Sequence, residues 1–308
     1  TPRCKYLRLK KIKVSKKIPK KANVIFSANY HFNNDLFKVW TADQIDNGAK
    51  LVIGQHGSGP FYRYNGAQDF ELNIADLYAS TGNGNNFYKQ VRDVGQFFSK
   101  LKPNKFKPSG PAMVVSTIAP KYMYDLRSMP SGNQMKDYFE DQFNFYKNLP
   151  RTIKKQTFIR FPFLQKKDDY GWNLSYRWKK TFSDVIIQYS IIPFDQSVKS
   201  CRLLINTYNA TTFCQSLAAN IPTVIFWNLK QWELKEYANK DIELLKSVNI
   251  FHETPKSASD HVEYIWDNIS EWWQNPLVQK ARISFCRKYA NKDKFIEKRL
   301  AGVLKEAE

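Results

Sequence analysis

The stretch Cys201–Trp227, CRLLINTYNATTFCQSLAANIPTVIFW, decides the fold. Cys201–Thr207 is an apolar run and predicts a strand. Tyr208, Asn209 and Ala210 make a turn, and Thr211–Asn220 predicts a helix. Pro222–Trp227, PTVIFW, is the strand after it. A strand, a helix and a strand in close succession imply parallel neighbours joined by a right-handed crossover. Ligands of open parallel sheets bind beyond the carboxyl ends of the strands. Here that end is Asn206-Thr207, and a helix starts just after it. The free N–H groups and partial positive charge of a helix start suit phosphate. The hydroxyls of Thr207, Thr211 and Thr212 would add donors. Plain capping of the helix by Asn or Thr, with no ligand, is the competing reading.

The same pattern extends in both directions. Ala112–Ile118 (AMVVSTI), Thr157–Phe161 (TFIRF) and Asp184–Tyr189 read as strands, and Met135–Leu149 as a helix. Val262, Ile265, Trp266, Ile269, Trp272 and Trp273 repeat at helical spacing and read as core. Pro276 opens a last amphipathic helix. Towards the start, Asn23–Ala28 (NVIFSA) and Leu51–Gly54 are strands around a helix carrying Leu36, Val39, Trp40 and Ile45, which Asn47-Gly48 closes. Phe70–Tyr78 is a further structured piece. Lys100–Pro111, KLKPNKFKPSGP, is rich in Pro and Lys without periodicity and reads as a linker. The expectation is an α/β chain of two Rossmann-like domains with a cleft between them. Residues 1–105 form the first, with a basic leader over 1–21, and residues 106–308 the second.

Composition bounds the function. The chain has 308 residues, 43% hydrophobic and 15% aromatic, which supports one large or two small cores. No apolar run nears the roughly 20 residues of a membrane span. Cys4, Cys201, Cys214 and Cys286 lie too far apart for a short-spaced zinc or redox site, and Cys201 and Cys214 read as small core residues. A reducing cytoplasm fits this cysteine usage best. The net charge of +20 favours anionic partners, and the opening TPRCKYLRLKKIKVSKKIPKK is close to half Lys and Arg. A solvated face, an anionic membrane surface and nucleic acid all compete for that segment. No zinc-finger, helix-turn-helix or RNA-recognition signature supports nucleic acid.

Three places hold residues suited to chemistry. Arg160 ends a short strand in TFIRFPFLQKKDDYGW, where a guanidinium can clamp phosphate or carboxylate. Asp169, Tyr170 and Trp172 form a polar, aromatic turn after it, and a surface turn with an Arg–Asp pair is the alternative. Gln55 and His56 end the strand in LVIGQHGSGP, and Gly57, Ser58 and Gly59 leave room for a ligand. His trades protons near neutral pH, and Glu71 and Asp76 are acids in the same region. A structural His at a strand end is the alternative there.

GAKLVIGQHGSG, FELNIAD, STIAPKYMYDLRSMP (with Ser116, Arg127 and Ser128), FIRFPF…DYGW and NTYNATTFCQSLAANIPTVIFWN…WEL together resemble a bacterial family of transferases encoded with O-antigen and other surface-polysaccharide genes. The likeness runs from about Val24 to Ala290 and leaves out the basic start. More loosely, the chain is similar to the retaining β-Kdo glycosyltransferases, which have a GT-B-like fold and use CMP-Kdo. The resemblance implies a nucleotide sugar on the second domain, near Arg160, Asp169, Tyr170, Trp172 and the Asn206, Thr207, Asn209, Thr211 and Thr212 turn. It implies His56 and Glu71 on the first domain, supported by Gln55 and Gly57. It also implies a carboxylate nucleophile, matched to Asp141 in YFEDQFNFY, with Asp125 and Asp169 as rivals. A complete GT-B enzyme has a larger domain before the linker, so the first domain is expected to be abbreviated or truncated.

The expected activity is therefore transfer of an activated sugar, Kdo from CMP-Kdo, onto a lipid-linked glycan of surface polysaccharide. The enzyme is expected in the cytoplasm, peripheral to the inner membrane through its basic start, with no nucleic-acid partner. It would need no metal or other cofactor, since no Asp-x-Asp pair is present. A transferase of another sugar or of a polyol phosphate is the alternative of the same class. A non-catalytic polyanion-binding module is the alternative of another class.

Overall fold

A computed structural model describes residues 19–58, 66–82, 88–97, 99, 101, 107–122, 129–161, 171–189, 191–292 and 294–308. The chain divides into two compact units. Unit 1 holds Thr1–Gly57, Gly66–Phe98 and Asn291–Glu308; unit 2 holds Ser58–Asn65 and Ser99–Ala290. The division differs from the expected 1–105 and 106–308 at the C-terminus, where the last residues join the first unit. Most of the basic leader and part of the linker lie outside the described residues.

Unit 1 is a parallel sheet of β1 (Val24–Ser27), β2 (Lys50–Gly54), β3 (Leu77–Ser80) and β4 (Val91–Asp93), in that order. Helices α1 (Tyr30–Asn33), α2 (Asp35–Asp46) and α3 (Gly66–Ile74) connect the strands. Asn34 caps α2 by accepting the Phe37 N–H. Asn47 and Gly48 end it, Gly48 at a φ of +94° that glycine adopts without a Cβ penalty. The C-terminal helix Ile296–Glu306 completes this unit. Its Val303, with Ala307 just after it, packs against Val52, Leu77, Ala79 and Val94. Arg92 pairs with Glu306, and Asn291 donates to Thr81 O and Asp93 Oδ2. The sequence had located β1 and β2 but not β3, β4 or the distant helix that packs on this sheet.

Unit 2 is a six-stranded parallel sheet, ordered β10-β9-β8-β5-β6-β7. Its strands are β5 (Ala112–Val115), β6 (Thr157–Arg160), β7 (Ile186–Gln188), β8 (Leu203–Asn206), β9 (Thr223–Phe226) and β10 (Phe251–His252). The chain steps outward from β5 to β7, then returns to the other side of β5. The strand order thus reverses between β5 and β8. Helices α4 (Gln134–Asn148), α5 (Arg151–Lys154), α6 (Leu174–Thr181), α7 (Phe194–Val198), α8 (Thr211–Ala218), α9 (Asn239–Lys246), α10 (Pro255–Ile265), α11 (Ile269–Gln274) and α12 (Pro276–Tyr289) complete the unit. On one face Phe145 of α4 stacks on Phe226 of β9, centroids 4.9 Å apart. On the other, Met113, Val115, Phe158 and Leu204 form a core with Val198, Cys201 and Ile221.

The tryptophan stripe belongs to two helices rather than one, because the chain breaks at Trp266–Asn268. It is still core. Trp273 is buried and donates to the Asn220 Oδ1 (3.0 Å), and Trp272 donates to Val248 O. Asn220 itself sits at φ +56°, the left-handed position that ends α8. Cys201, Cys214 and Cys286 are buried free thiols.

One packing detail sets a pH dependence. His252 and His261 are both buried, with ring centroids 5.2 Å apart. His252 Nδ1 is 2.8 Å from Ser257 Oγ and its Nε2 is 3.1 Å from Asn249 O, whereas His261 Nε2 has no partner among the described residues. Burial pushes His252 down to about 4; burial and then the neighbouring His252 push His261 to about 3. The unfolded chain binds these protons near pH 6.5, so the stability from the neutral rings is complete above that value and is lost as pH falls toward about 4. The urea midpoint should therefore drop across this window. His261→Phe should flatten the drop; an unchanged slope would contradict the assignment.

Candidate functional site

The carboxyl ends of β5 and β8 meet where the strand order reverses, with Val115 registered against Asn206. A closed hydrogen-bond chain fastens them. Thr117 N–H donates to Tyr138 Oη (3.0 Å). Thr207 Oγ1 donates to Val115 O (2.9 Å), so its lone pair accepts the Tyr138 O–H at 2.7 Å. Burial holds the Tyr138 phenol well above its ordinary range, which keeps it a donor. Ser116 is fully buried in the same strand end, and its Oγ donates to Thr117 O. Thr207 and Ser116 thus build the wall of the site.

The helix start beyond β8 lacks what simple capping requires. Its N-cap is Ala210, extended at φ −154°, with no side-chain cap hydrogen bond. The N-cap residue therefore offers no side-chain acceptor to the first turn of α8. Thr211 Oγ1 accepts the Ser58 N–H at 3.1 Å, and Thr212 Oγ1 pairs with Tyr208 Oη. Asn206 is fully buried, and both polar atoms of its amide are without a partner among the described residues. The buried Ser58 Oγ and Trp232 Nε1 are likewise unpartnered there. Trp232 lies 6.2 Å from the Tyr138 ring and 6.4 Å from the Tyr208 ring. Buried polar groups normally find partners, so this group is poised to take donors and acceptors from a ligand or from ordered water. Asn209 is buried beside them. Asn206, Thr207, Thr211 and Thr212 were singled out in the sequence; Tyr138 and Trp232, which the structure sets beside them, were not, because their aromatic type reads as core.

Arg160 shares the sheet row of Val115 and Asn206, through its pairing with Val115. Its guanidinium is already engaged. Nη1 donates to Gln188 Oε1 (2.8 Å) and Ser197 Oγ (3.0 Å), and Nη2 donates to Ile192 O (2.7 Å). The side chain is 6% exposed and ties the edge strand β7 to α7. Trp172 is also committed: buried against Phe139, its indole N–H goes to Ala119 O at 2.9 Å. Arg160, expected to clamp phosphate, and Trp172, expected in a polar turn near the nucleotide, are thus both engaged inside the unit. Asp169, Tyr170, Arg127, Ser128 and the rival Asp125 lie outside the described residues. Arg160→Ala should strand Gln188, Ser197 and the Ile192 carbonyl, costing about 3 kcal/mol. Denaturant unfolding measures this, and a wild-type midpoint would contradict it.

Asp141 lies on α4 one turn from Tyr138. Partial burial first, then Asp137 and Glu140, push its carboxyl up to about 6. Ionisation at neutral pH therefore works against the fold, a pattern common at functional acids. The native state holds this proton more tightly than the unfolded chain, so the strain is absent below pH 4 and complete above pH 6. Asp141→Asn should raise stability at pH 7 by about 1 kcal/mol, after allowance for solvent screening. Equal stability of the two proteins at pH 7 would remove the strain.

In unit 1, Gln55 is buried and fixes the turn at the end of β2. Its Nε2 donates to Gly57 O and Thr81 Oγ1, both at 2.8 Å, and its Oε1 accepts the Thr81 N–H. His56, carried on this turn, is exposed. The acids expected beside it are occupied elsewhere. Asp76 binds Lys50 Nζ and Leu51 N–H. Glu71, 4% exposed, lies 2.9 Å from His31 Nε2 and accepts the Tyr78 O–H. His31 was not singled out in the sequence, because nothing local links it to an acid forty positions away.

Comparison with known proteins places these features in a family. The LIC12162 family transferase pattern matches residues 2–304. No curated protein sequence matches the chain. Among solved structures, S. aureus TarM, in complex with fondaparinux, α-GlcNAc-glycerol and UDP, is similar at a TM-score of 0.54 and 11% identity, over 87% of this chain and 53% of TarM. The chain thus spans about half of TarM's length. A Listeria monocytogenes protein assigned as a UDP-N-acetylglucosamine 2-epimerase is similar at 0.54 and 8% identity, over 92% of this chain and 72% of that one. At these identities the likeness speaks for the fold, which is α/β with parallel sheets and GT-B-like.

Proposed function

The chain belongs to the LIC12162 family of transferases, and from that premise we propose that it transfers a sugar from a nucleotide-activated donor. The observation that carries this reading is the start of α8 at the reversal point of a parallel sheet, where the N-cap Ala210 gives no side-chain cap, beside an Asn206 amide that has no partner among the described residues. Oriented N–H groups there suit a phosphate that gains charge as the sugar leaves. Thr211 and Thr212 supply hydroxyls, Asn206 and Asn209 amides, and the wall of Ser116 and Thr207 limits water. In this reading protein donors hold the phosphate without a metal. Arg160 acts by holding the sheet row rather than by clamping the phosphate.

For the finer chemistry, the donor is CMP-Kdo and the acceptor a lipid-linked glycan of bacterial surface polysaccharide. The resemblance to retaining β-Kdo enzymes supports this choice. Asp141 is the carboxylate proposed to form the covalent glycosyl-enzyme, and His56 is the acid–base residue proposed on unit 1. The basic start would hold the enzyme at the anionic inner face of the membrane. Among the described residues no helix is long and apolar enough to cross a membrane.

The test separates capping from phosphate binding. Ala210→Asp supplies the missing cap, which should stabilise the fold by about 1 kcal/mol, yet it sets a carboxylate where the phosphate belongs. Nucleotide affinity, titrated with CMP and UDP, should fall at least tenfold. Unchanged affinity for both would remove the α8 start from the donor site. Intact mass after incubation with CMP-Kdo, other nucleotide sugars or CDP-polyols identifies the transferred group.

A further inference from the structure

Within unit 2, the groove between α4 and α6 encloses a cavity of about 320 Å³. It shares no residue with the β5–β8 junction or the start of α8. Glu140, Phe143, Asn144 and Lys147 line it from α4, a spacing that puts all four on one face of the helix. Arg177, Lys180 and Thr181 face them from α6 with the same helical step, and Phe182, the C-cap of α6, completes the wall. Aromatic packing beneath fixes the two helices. Phe143 meets Trp178 edge-on at 4.8 Å and lies 6.1 Å from Phe182. Tyr146 packs on Trp178 at 5.6 Å and on Phe182 at 4.9 Å. Phe143, Tyr146 and Trp178 are buried, so the floor of the groove is close-packed protein interior.

The rim above this floor is polar, exposed and mostly cationic. Arg177 Nε donates to Trp172 O at 2.8 Å, and Thr181 Oγ1 donates to Arg177 O at 2.9 Å. The guanidinium is thus anchored at one nitrogen. Its two Nη groups have no hydrogen-bond or ion-pair partner among the described residues, and neither do Lys180 Nζ and Lys147 Nζ. Glu140 shares the rim yet forms no ion pair with any of the three. Lys180 follows Arg177 by three residues, so two like charges face each other on one helix, a cost that an anion between them removes.

We propose that this groove is a binding site for the phosphomonoester of a sugar or small polyol. Three cations against one carboxylate leave a surplus of positive charge, which a phosphomonoester, about −2 at neutral pH, balances. The free Nη groups of Arg177 form a two-pronged donor for phosphate oxygens, and Lys147 and Lys180 add point charges. Glu140 and Thr181 accept from hydroxyl groups of the carrier, and the Asn144 amide both donates and accepts. Phe143 and Phe182 offer apolar surface to the C–H groups of a sugar ring. The volume stands at the lower end of the roughly 300–1,000 Å³ of small-molecule sites, which suits one sugar phosphate better than a nucleotide sugar. An occupant ties α4 to α6, and α4 also carries Tyr138 of the β5–β8 junction. The site is independent of the sugar-transfer reading and is tested by binding alone.

Backbone amide NMR of the full chain, titrated with glucose 6-phosphate and with glycerol 3-phosphate, tests the site. At least one of the two should bind saturably, with its largest shifts at Asn144, Lys147, Lys180 and Thr181. Glucose and glycerol should shift none of these amides, and inorganic phosphate should bind at least about tenfold more weakly. Lys180→Gln, at an exposed side chain with no partner to lose, should weaken ester binding roughly tenfold while the urea midpoint stays at the wild-type value. Arg177→Gln should weaken it by at least as much. No saturable binding of either ester overturns the site, as do largest shifts at Thr211 and Thr212, equal affinity for inorganic phosphate, or wild-type affinity in both variants. Vesicles of phosphatidic acid in phosphatidylcholine form the other arm. A protein that sediments with them through Lys180, yet binds neither soluble ester, takes its phosphomonoester from a lipid, and the sugar-phosphate assignment falls.

Discussion

Parallel pairing of β5 with β8 is the constraint on which the rest of unit 2 depends. Parallel strands need crossovers, and each crossover helix occupies one face of the sheet. At β5 the chain turns from one direction of sheet growth to the other. The connections leaving β5 and β8 therefore diverge, and their carboxyl ends are not roofed by a shared helix. The Thr117–Tyr138–Thr207–Val115 hydrogen-bond chain fixes this junction from one face of the sheet. Arg160 braces the same row towards β7 through Gln188 and Ser197. The result is a braced strand end with, just beyond it, a helix start whose N-cap Ala210 gives no side-chain cap.

That arrangement explains an apparent inefficiency in the sequence. Asn, Ser or Thr at an N-cap costs nothing to encode and stabilises a helix by about 1 kcal/mol. Here Ala210 takes the position although Asn209 and Thr211 flank it. The Asn206 amide is buried without a partner in the adjoining strand end. Asp141 stands on the helix that carries Tyr138, with its carboxyl pushed up. Each of these features lowers stability, and they gather at one end of one sheet. Proteins tolerate such local costs where a ligand or a reaction uses them.

Much of the fold was legible because its signals are local. Cys201–Trp227 announces a strand, a turn, a helix and a strand, and β8, α8 and β9 follow that plan within about two residues. The strand before His56 and the helix around Asp141 were equally plain. What could not be read depends on distant partners. No periodicity links the C-terminal helix to β3, and nothing at Arg160 reveals that Gln188, Ser197 and Ile192 will occupy it. Glu71 was chosen as an acid for His56, yet the fold gives it to His31. Trp172 was read as part of a polar, aromatic turn near the nucleotide, but it packs on Phe139 and donates to Ala119 O. Residue type identified the chemistry available; tertiary pairing decided which groups remain free to perform it.

The central claim is that the start of α8 receives a nucleotide phosphate. Backbone amide NMR during titration with CMP tests it most directly, because it reads the N–H groups themselves. The account predicts the largest shifts at Thr211, Thr212 and Phe213, with smaller ones at Thr207. Saturable binding that leaves these amides unmoved, or that shifts only amides of unit 1, would contradict it.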